Sequence, residues 1–230
     1  MLSIIIPTLN EEKYLPLLLK EIKKQDFSDY EIIVADAGSK DRTIEIAKSF
    51  GCKITKGGLP PKGRNEGAKI AQGDLFLFMD ADNIFLPEKF LTNLITEFKK
   101  RNLGVASFPI YPKGKKIDKI IYKIYNNFVN LTQFPTAFNS VLVKKEIFEK
   151  VKGFDEEIRL AEDHYFAWQA AKYGKFGFIN TEPVLTSSRR FDREGRLRTY
   201  LKYFLAGIYI FFFGPIRSDI FKYRFEKEEK

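Results

Sequence analysis

Two aspartates one residue apart, Asp80 and Asp82, follow directly on the apolar run Leu75-Phe76-Leu77-Phe78-Met79. A buried strand ending in Asp-Ala-Asp delivers two carboxylates to its carboxyl end. In an extended chain, residues two apart point to the same side. Two such charges side by side are costly unless something positive stands beside them. A divalent cation carrying a diphosphate would meet that need, because hard oxygen ligands suit Mg²⁺ or Mn²⁺. The competing reading is an Asp-rich turn that leads into the next helix. Further carboxylates stand at Asp36, closing Glu31-Ile32-Ile33-Val34-Ala35-Asp36, and at the acidic pair Glu162-Asp163.

The elements that must position these groups follow from the apolar periodicity. Ile4 to Pro7 reads as a short strand followed by the polar turn Thr8-Leu9-Asn10. Asn10 then caps a helix beginning at Glu11 and Glu12, with Leu15, Leu18, Leu19 and Ile22 on one face. The second strand ends at Asp36, and a helix from Ser39 or Asp41 runs to a left-handed stop at Gly51. A third strand at 52–55, a helix at 64–71, a fourth strand at 74–80 and a helix opened by Pro87 complete the first hundred residues. Alternating strands and helices imply a mostly parallel sheet covered on both faces, with ligands beyond the carboxyl ends of its strands. Thr8 to Glu11, Asp36, and Asp80 with Asp82 all fall on that one edge. Further along, 118–133 reads as an amphipathic helix, 138–143 as a strand, 160–173 as a helix and 197–213 as a strongly apolar helix.

Composition narrows the partners. A chain of 230 residues with 44% hydrophobic content suits a folded domain with a substantial core. The single cysteine, Cys52, rules out an internal disulfide and fits a reducing compartment. The first seven residues lack a basic flank and a small-residue cleavage site, so they read as a strand rather than a signal peptide. The expected location is the cytoplasm. A net charge of +9 favours anionic partners, yet zinc-finger spacing and an RNA-recognition signature are both missing, which argues against nucleic acid. Neither G-x-G-x-x-G nor G-x-x-x-x-G-K-[ST] occurs, against dinucleotide oxidoreductases and P-loop enzymes.

Ile4-Ile5-Ile6-Pro7-Thr8-Leu9-Asn10-Glu11, Val34-Ala35-Asp36-Ala37-Gly38-Ser39-Lys40-Asp41-Arg42-Thr43, Asp80-Ala81-Asp82 and Glu162-Asp163 occur in this order at loops after strands or at a helix start. Together they resemble the family 2 glycosyltransferases, from about Leu2 to Ser188. The resemblance implies an α/β GT-A fold: a Rossmann-like, mostly parallel sheet flanked by helices, here with amphipathic C-terminal helices. It also implies a UDP- or GDP-linked sugar donor, Mg²⁺ or Mn²⁺, and inversion at the anomeric carbon.

By that resemblance Pro7, Thr8, Asn10 and Glu11 belong to the donor site, and Asp36 binds the nucleotide. Physically, Asp36 can accept the imide N–H of uracil or guanine, bond a ribose hydroxyl, or form an Asx-turn before the next helix. Asp82 would ligate the metal, with Asp80 touching ribose or the metal's water, and the metal would neutralise charge on the departing diphosphate. Asp163 matches the general base, needed because an acceptor hydroxyl loses its proton as it attacks; Glu162 would orient the acceptor. Arg64 is a candidate for diphosphate or base contact, or else a structural arginine. Arg189 and Arg190 lie in a segment that some members use as a flexible loop closing over the donor diphosphate. The lone histidine, His164, does not match the position from which some members add a metal-binding histidine, and reads as a helix-face residue.

The expected organisation is a GT-A domain at 1–196 and an aromatic, basic extension at 197–230. From Ser187 onward there are 11 lysines and arginines against 6 acids, interleaved with the run Tyr203 to Phe213. That run is shorter than the roughly 17–25 residues of a spanning helix. It can lie in a membrane interface, giving a peripheral contact and a lipid-linked acceptor such as a polyprenyl phosphate or glycolipid. It can equally pack on the sheet or form a dimer interface. The rivals to a hexosyltransferase are a non-catalytic nucleotide-sugar-binding homologue and a nucleotidyltransferase. The latter is disfavoured by Pro7-Thr8-Leu9-Asn10-Glu11 where a Gly-rich phosphate loop would stand.

Overall fold

The computed structural model describes residues 1–221, without the side chain at 211; positions 222–230 of the C-terminal extension lie outside the described residues. The chain runs β1 (Leu2–Thr8), α1 (Leu15–Lys23), β2 (Tyr30–Asp36), α2 (Thr43–Ser49), β3 (Lys53–Lys56), α3 (Pro60–Ile70), β4 (Leu75–Met79), β5 (Asn83–Phe85), α4 (Phe90–Lys100), β6 (Val105–Ser107) and β7 (Ile110–Pro112). It continues through α5 (Lys116–Thr132), β8 (Ser140–Lys144), α6 (Lys145–Val151), α7 (Glu162–Ala170), β9 (Phe176–Phe178), β10 (Val184–Thr186), α8 (Arg189–Glu194) and α9 (Arg196–Phe213).

Seven strands form the central sheet in the order β3-β2-β1-β4-β8-β6-β9. Neighbours are parallel except that β8 runs against both β4 and β6. A small second sheet, β5-β10-β7, brings the chain after Asp82 beside Thr186. The mostly parallel α/β expectation therefore holds; of the second sheet only the strand at Val184–Thr186 is readable in the sequence, and its three-residue neighbours β5 and β7 are not.

Alternation within each strand divides the core. Ile4, Ile6, Val34, Leu77 and Met79 face one layer with α1 and α4, whereas Ile5, Ile33, Phe76 and Phe78 face the other with α3, α6 and α7. The second layer is aromatic: Phe154 stacks on Phe166 at 4.1 Å between centroids and meets Phe78 edge-on at 5.0 Å. Such rings bury large apolar areas in fixed relative orientations. They set α7, and with it the acidic pair, against the end of β4.

Several boundaries differ from expectation. The first helix begins at Leu15, not at Glu11, because Pro16 sits in its first turn and the preceding amides are used elsewhere. Asn10 takes a left-handed backbone (φ 53°) and donates its N–H to Ser39, while Glu11 donates to Thr43 and Glu12 to Asp41. The third helix starts earlier than Arg64, at the Pro60-Pro61 pair, whose fixed φ suits a helix start. Its fourth-strand neighbour stops at Met79, and the chain turns at once. The 187–191 segment is not an open loop: Ser188 bonds Asp192 at 2.7 Å and Phe191 is buried, so a short helix forms at Arg189–Glu194.

Gly67 lets α3 approach β1, since a Cβ there would collide with Ile5 Cγ2. Gly67→Ala is expected to lower the unfolding free energy by about 1–3 kcal/mol through overpacking, measured by urea denaturation.

Candidate functional site

The carboxyl ends of β1 and β4, the N-terminus of α7 and the start of α8 converge on one cavity of about 1230 Å³. Pro7, Thr8, Glu11, Asp80, Asp82, Glu162, Asp163, Arg189 and Arg190 line it. Of the residues singled out in the sequence, Asn10, Asp36 and Arg64 do not.

Asp80 and Asp82 sit in a turn rather than on an extended strand, because Asn83 donates its backbone N–H to the Asp80 carbonyl at 3.2 Å. The two carboxylates consequently diverge. Asp80 turns toward Arg64, with Nη2 to Oδ1 at 2.7 Å. Asp82 turns toward the β10 end: Ser187 Oγ donates to Oδ2 at 2.7 Å, Thr186 Oγ1 to Oδ1 at 3.2 Å, and Arg189 Nε lies 3.3 Å from Oδ2. Burial, reinforced by Asp82, Glu162 and Asp163, pushes the Asp80 carboxyl up to about 7 against the pull of Arg64.

Arg64 lies beneath the site rather than in it. Its second arm reaches Glu162 at 2.6 Å, and its guanidinium stands over the Phe154 ring at 5.2 Å. Burial disfavours its charge, but Asp80, Glu162 and Asp163 together hold it above the ordinary arginine range. One buried cation thus ties the Asp-x-Asp turn to the start of α7. The structural alternative for Arg64 is what the geometry displays.

Asp36 shows the Asx-type arrangement. Its carboxylate accepts the N–H groups of Gly38 (2.9 Å) and Ser39 (2.8 Å) and the hydroxyls of Thr8 and Ser39. It fixes the loop after β2, whose Ala37 lines the cavity. Asn10 has a similar task, accepting the Lys40 N–H at 2.9 Å.

Asp163 stands in the first turn of α7, where helix N–H groups favour negative charge. Its Oδ2 accepts the Asn139 N–H at 2.7 Å and its Oδ1 the His164 N–H at 2.8 Å, which fixes the carboxylate plane at the cavity wall. The two arginines diverge. Arg189 makes a bidentate pair with Glu11 and packs over the Tyr14 ring at 4.9 Å, whereas Arg190 donates to the Tyr203 hydroxyl at 3.0 Å.

Several cavity groups escaped the sequence reading. Thr186 and Ser187 hold Asp82. On the other side of Asp163, His164 Nδ1 shares a hydrogen bond with Thr136, which in turn meets the Tyr125 hydroxyl at 2.9 Å. Burial pushes the phenols of Tyr122, Tyr125 and Tyr203 up, leaving neutral hydroxyls on that wall. The position of His164 next to Glu162-Asp163 was the one available signal; Thr136 and Tyr125 have none, being 27 or more residues away.

Residues 3–176 match glycosyl transferase family 2. The chain belongs to that family. TarS of Staphylococcus aureus (strain Mu50), a poly(ribitol-phosphate) beta-N-acetylglucosaminyltransferase, is 30% identical over 189 residues, 73% of this chain and 32% of TarS. An uncharacterized glycosyltransferase of Haemophilus influenzae is 28% identical over 186 residues, 72% of this chain and 60% of that protein. The chain thus spans less than two thirds of these relatives' length. Among solved structures, S. aureus TarS 1-349 in complex with UDP-GlcNAc has a TM-score of 0.69 at 23% identity, over 81% of this chain and 58% of that one. The mannosyltransferase PcManGT of Pyrobaculum calidifontis, in complex with GDP-Man and Mn²⁺, reaches 0.71 at 18% identity, over 89% and 61%. The fold is the GT-A fold expected of this glycosyltransferase family.

Among the described residues, no three His, Cys, Asp or Glu side chains converge as a self-contained metal cage. The chemistry of the residues present still fits a hard divalent ion: Asp82 would offer carboxylate oxygen, and Asp80, turned toward Arg64, would reach the ion only through water, with phosphate oxygens left to complete the sphere. Replacing Arg64 by Met is expected to cost about 3–5 kcal/mol of stability, because it strands Asp80 and Glu162 without their cation. Denaturant titration checks this.

Proposed function

We propose that this glycosyltransferase domain moves a sugar from a nucleoside diphosphate sugar to a hydroxyl or phosphate of a lipid-linked acceptor, with inversion at the anomeric carbon. One observation carries the reading: the Asp-x-Asp carboxylates and Asp163 open into the same cavity, on opposite sides of the Arg64 anchor that joins their elements. The donor would be UDP- or GDP-linked, in line with UDP-GlcNAc in the TarS structure and GDP-Man in that of PcManGT.

On the donor side, Asp82 and Asp80 would hold Mg²⁺ or Mn²⁺, which when bound supplies charge neutralisation for the leaving diphosphate. Arg189 now satisfies both Glu11 and Asp82. A cation held by Asp82 would free the Nε edge of Arg189 while Glu11 keeps its two Nη groups, and that edge would be placed to meet phosphate oxygens. The Asp36 loop would frame the base and ribose, with Pro7 and Thr8 beneath.

On the acceptor side, Asp163 takes the proton from the attacking hydroxyl. A carboxylate fixed by two backbone N–H groups requires little reorganisation as the reaction proceeds. Glu162, clamped by Arg64, keeps the first turn of α7 in place. Polyprenyl phosphate or a glycolipid suits the wall beyond, where Tyr125, Phe128, Phe134, Phe204 and Phe212 line the cavity. Domain 1–196 would carry the chemistry and the extension from 197 would close the acceptor side.

Thermal-shift titration with UDP and GDP, with and without Mn²⁺, tests the donor site. One nucleotide is expected to stabilise the protein in a metal-dependent way that Asp82→Ala abolishes, since a ligand of the folded state stabilises by mass action. No shift with either nucleotide would sink the reading. Asp163→Asn is expected to keep that shift and to lose about 10²–10⁴-fold in transfer rate, measured by product formation from donor. A carboxyl must be ionised to ligate metal. Metal-supported nucleotide binding is therefore expected to weaken as the pH falls through about 7, where Asp80 gains its proton, with full strength above; titrations across that range check it.

A further inference from the structure

Helix α5 is built inside out. Asp118, Asn126 and Val129 are its buried residues, while Ile117, Ile120, Ile124, Phe128 and Leu131 form a stripe facing outward, with Ile124 65% and Leu131 83% exposed. Ordinary surface helices turn such a stripe to the core. Helix α9 repeats the pattern. Thr199 and Ala206 are buried, and Leu201, Phe204, Ile208 and Phe212 face outward, Phe212 at 70%.

The two helices are joined at their basic ends. Asp118, fully buried, accepts from Arg196 Nε at 3.0 Å and from the Tyr200 hydroxyl at 2.8 Å. It is the one acid in the two helices, against the six bases Lys116, Lys119, Lys123, Arg196, Arg198 and Lys202; Arg196 and Lys202 are covered and paired with Asp192 and Glu194 of α8, so the exposed positive charge is that of Lys116, Lys119, Lys123 and Arg198. All six bases fall in the first halves; the second halves carry none. Each helix therefore runs from a cationic start to an uncharged end, apolar in α9 and mixed with asparagines in α5. The cavity opens between them, its mouth formed by the half-exposed or more exposed rings of Phe128, Phe134, Phe204 and Phe212.

We infer that α5 and α9 form a membrane-docking face that seats the protein on an anionic bilayer, with the cavity mouth open to the lipid. The charge pattern selects this occupant. Lysines and arginines meet lipid phosphates, while the apolar rows enter the headgroup and acyl boundary. A second copy of the chain would bring the same basic ends into contact with one another if the helices packed in parallel, and the single acid of the two helices, Asp118, is buried and already engaged by Arg196 and Tyr200. Among the described residues no helix is long and apolar enough to cross a membrane, so the contact is with the surface. A lipid-borne acceptor can then slide from the bilayer toward Asp163 without its chain passing through water. That last consequence rests on the transfer reading above; the docking face does not.

Flotation of the full chain with phosphatidylcholine vesicles, with and without phosphatidylglycerol, tests the inference. Ile124→Glu with Leu201→Glu supplies the variant, since both side chains are exposed and neither lines the cavity. Wild type is expected to float with the anionic vesicles at low salt and less with the neutral ones. The double variant is expected to bind at least about tenfold more weakly, given the apolar area withdrawn from the membrane. A wild type that stays in the soluble fraction, or a variant that floats equally well, overturns the inference. So does a dimer in sedimentation that the variant dissociates while vesicle binding is absent. Nucleotide-induced stabilisation measured on the same samples separates the two readings: flotation without it would remove the donor site and leave the docking face, and the reverse would remove only the docking face.

Discussion

A buried guanidinium holds this site together. Arg64 arises from α3, reaches Asp80 in the turn after β4 with one arm and Glu162 at the start of α7 with the other, and rests on Phe154. Burying two carboxylates near each other is costly, and so is burying an arginine alone. Assembled, the three groups compensate one another, and the cost of breaking the set fixes the spacing between the Asp-x-Asp turn and the helix that carries Asp163. Phe154, on which the guanidinium rests, meets Phe78 edge-on and stacks on Phe166, so the ion cluster is bounded on that side by apolar rings.

A second set of polar contacts fixes the opposite wall. Backbone amides of Asn10, Glu11 and Glu12 are satisfied by side chains of the loop after β2, and Asp36 closes that loop on itself. The loop pair forms a rim, which Arg189 ties to the Asp-x-Asp turn by bridging Glu11 and Asp82.

The face made by α5 and α9 obeys a different rule. Its polar groups, Asp118, Asn126 and Thr199, point inward, and its large apolar residues point out. Such a surface is stable only against a partner that is itself apolar, and its basic margins restrict that partner to one bearing negative charge. The ion pair Asp118–Arg196 fixes how the two helices meet at their bases, so the cavity between them has a defined mouth.

Alternating strands and amphipathic helices were legible in the sequence because periodicity is a local property: Leu15, Leu18, Leu19 and Ile22 declare a helix face wherever the helix sits, and they are all buried here. The acidic residues at strand ends were legible for the same reason, and their order was enough to point to the family. What each carboxylate touches was not. Asp80 and Asp82 were expected to point the same way and diverge because the chain turns between them, a turn fixed by pairing of Asn83 with Thr186 more than a hundred residues away. Arg64 was open between a diphosphate or base contact and a structural arginine, and local sequence could not show that Asp80 and Glu162 take both its arms. The apolar stripe of α5 was visible in the sequence, but which way it faces was settled by where Asp118 finds its partners. Local sequence determines the type of element and the kind of chemistry available; long-range pairing alone decides the direction in which each side chain points, because burial and charge compensation are shared between segments distant along the chain.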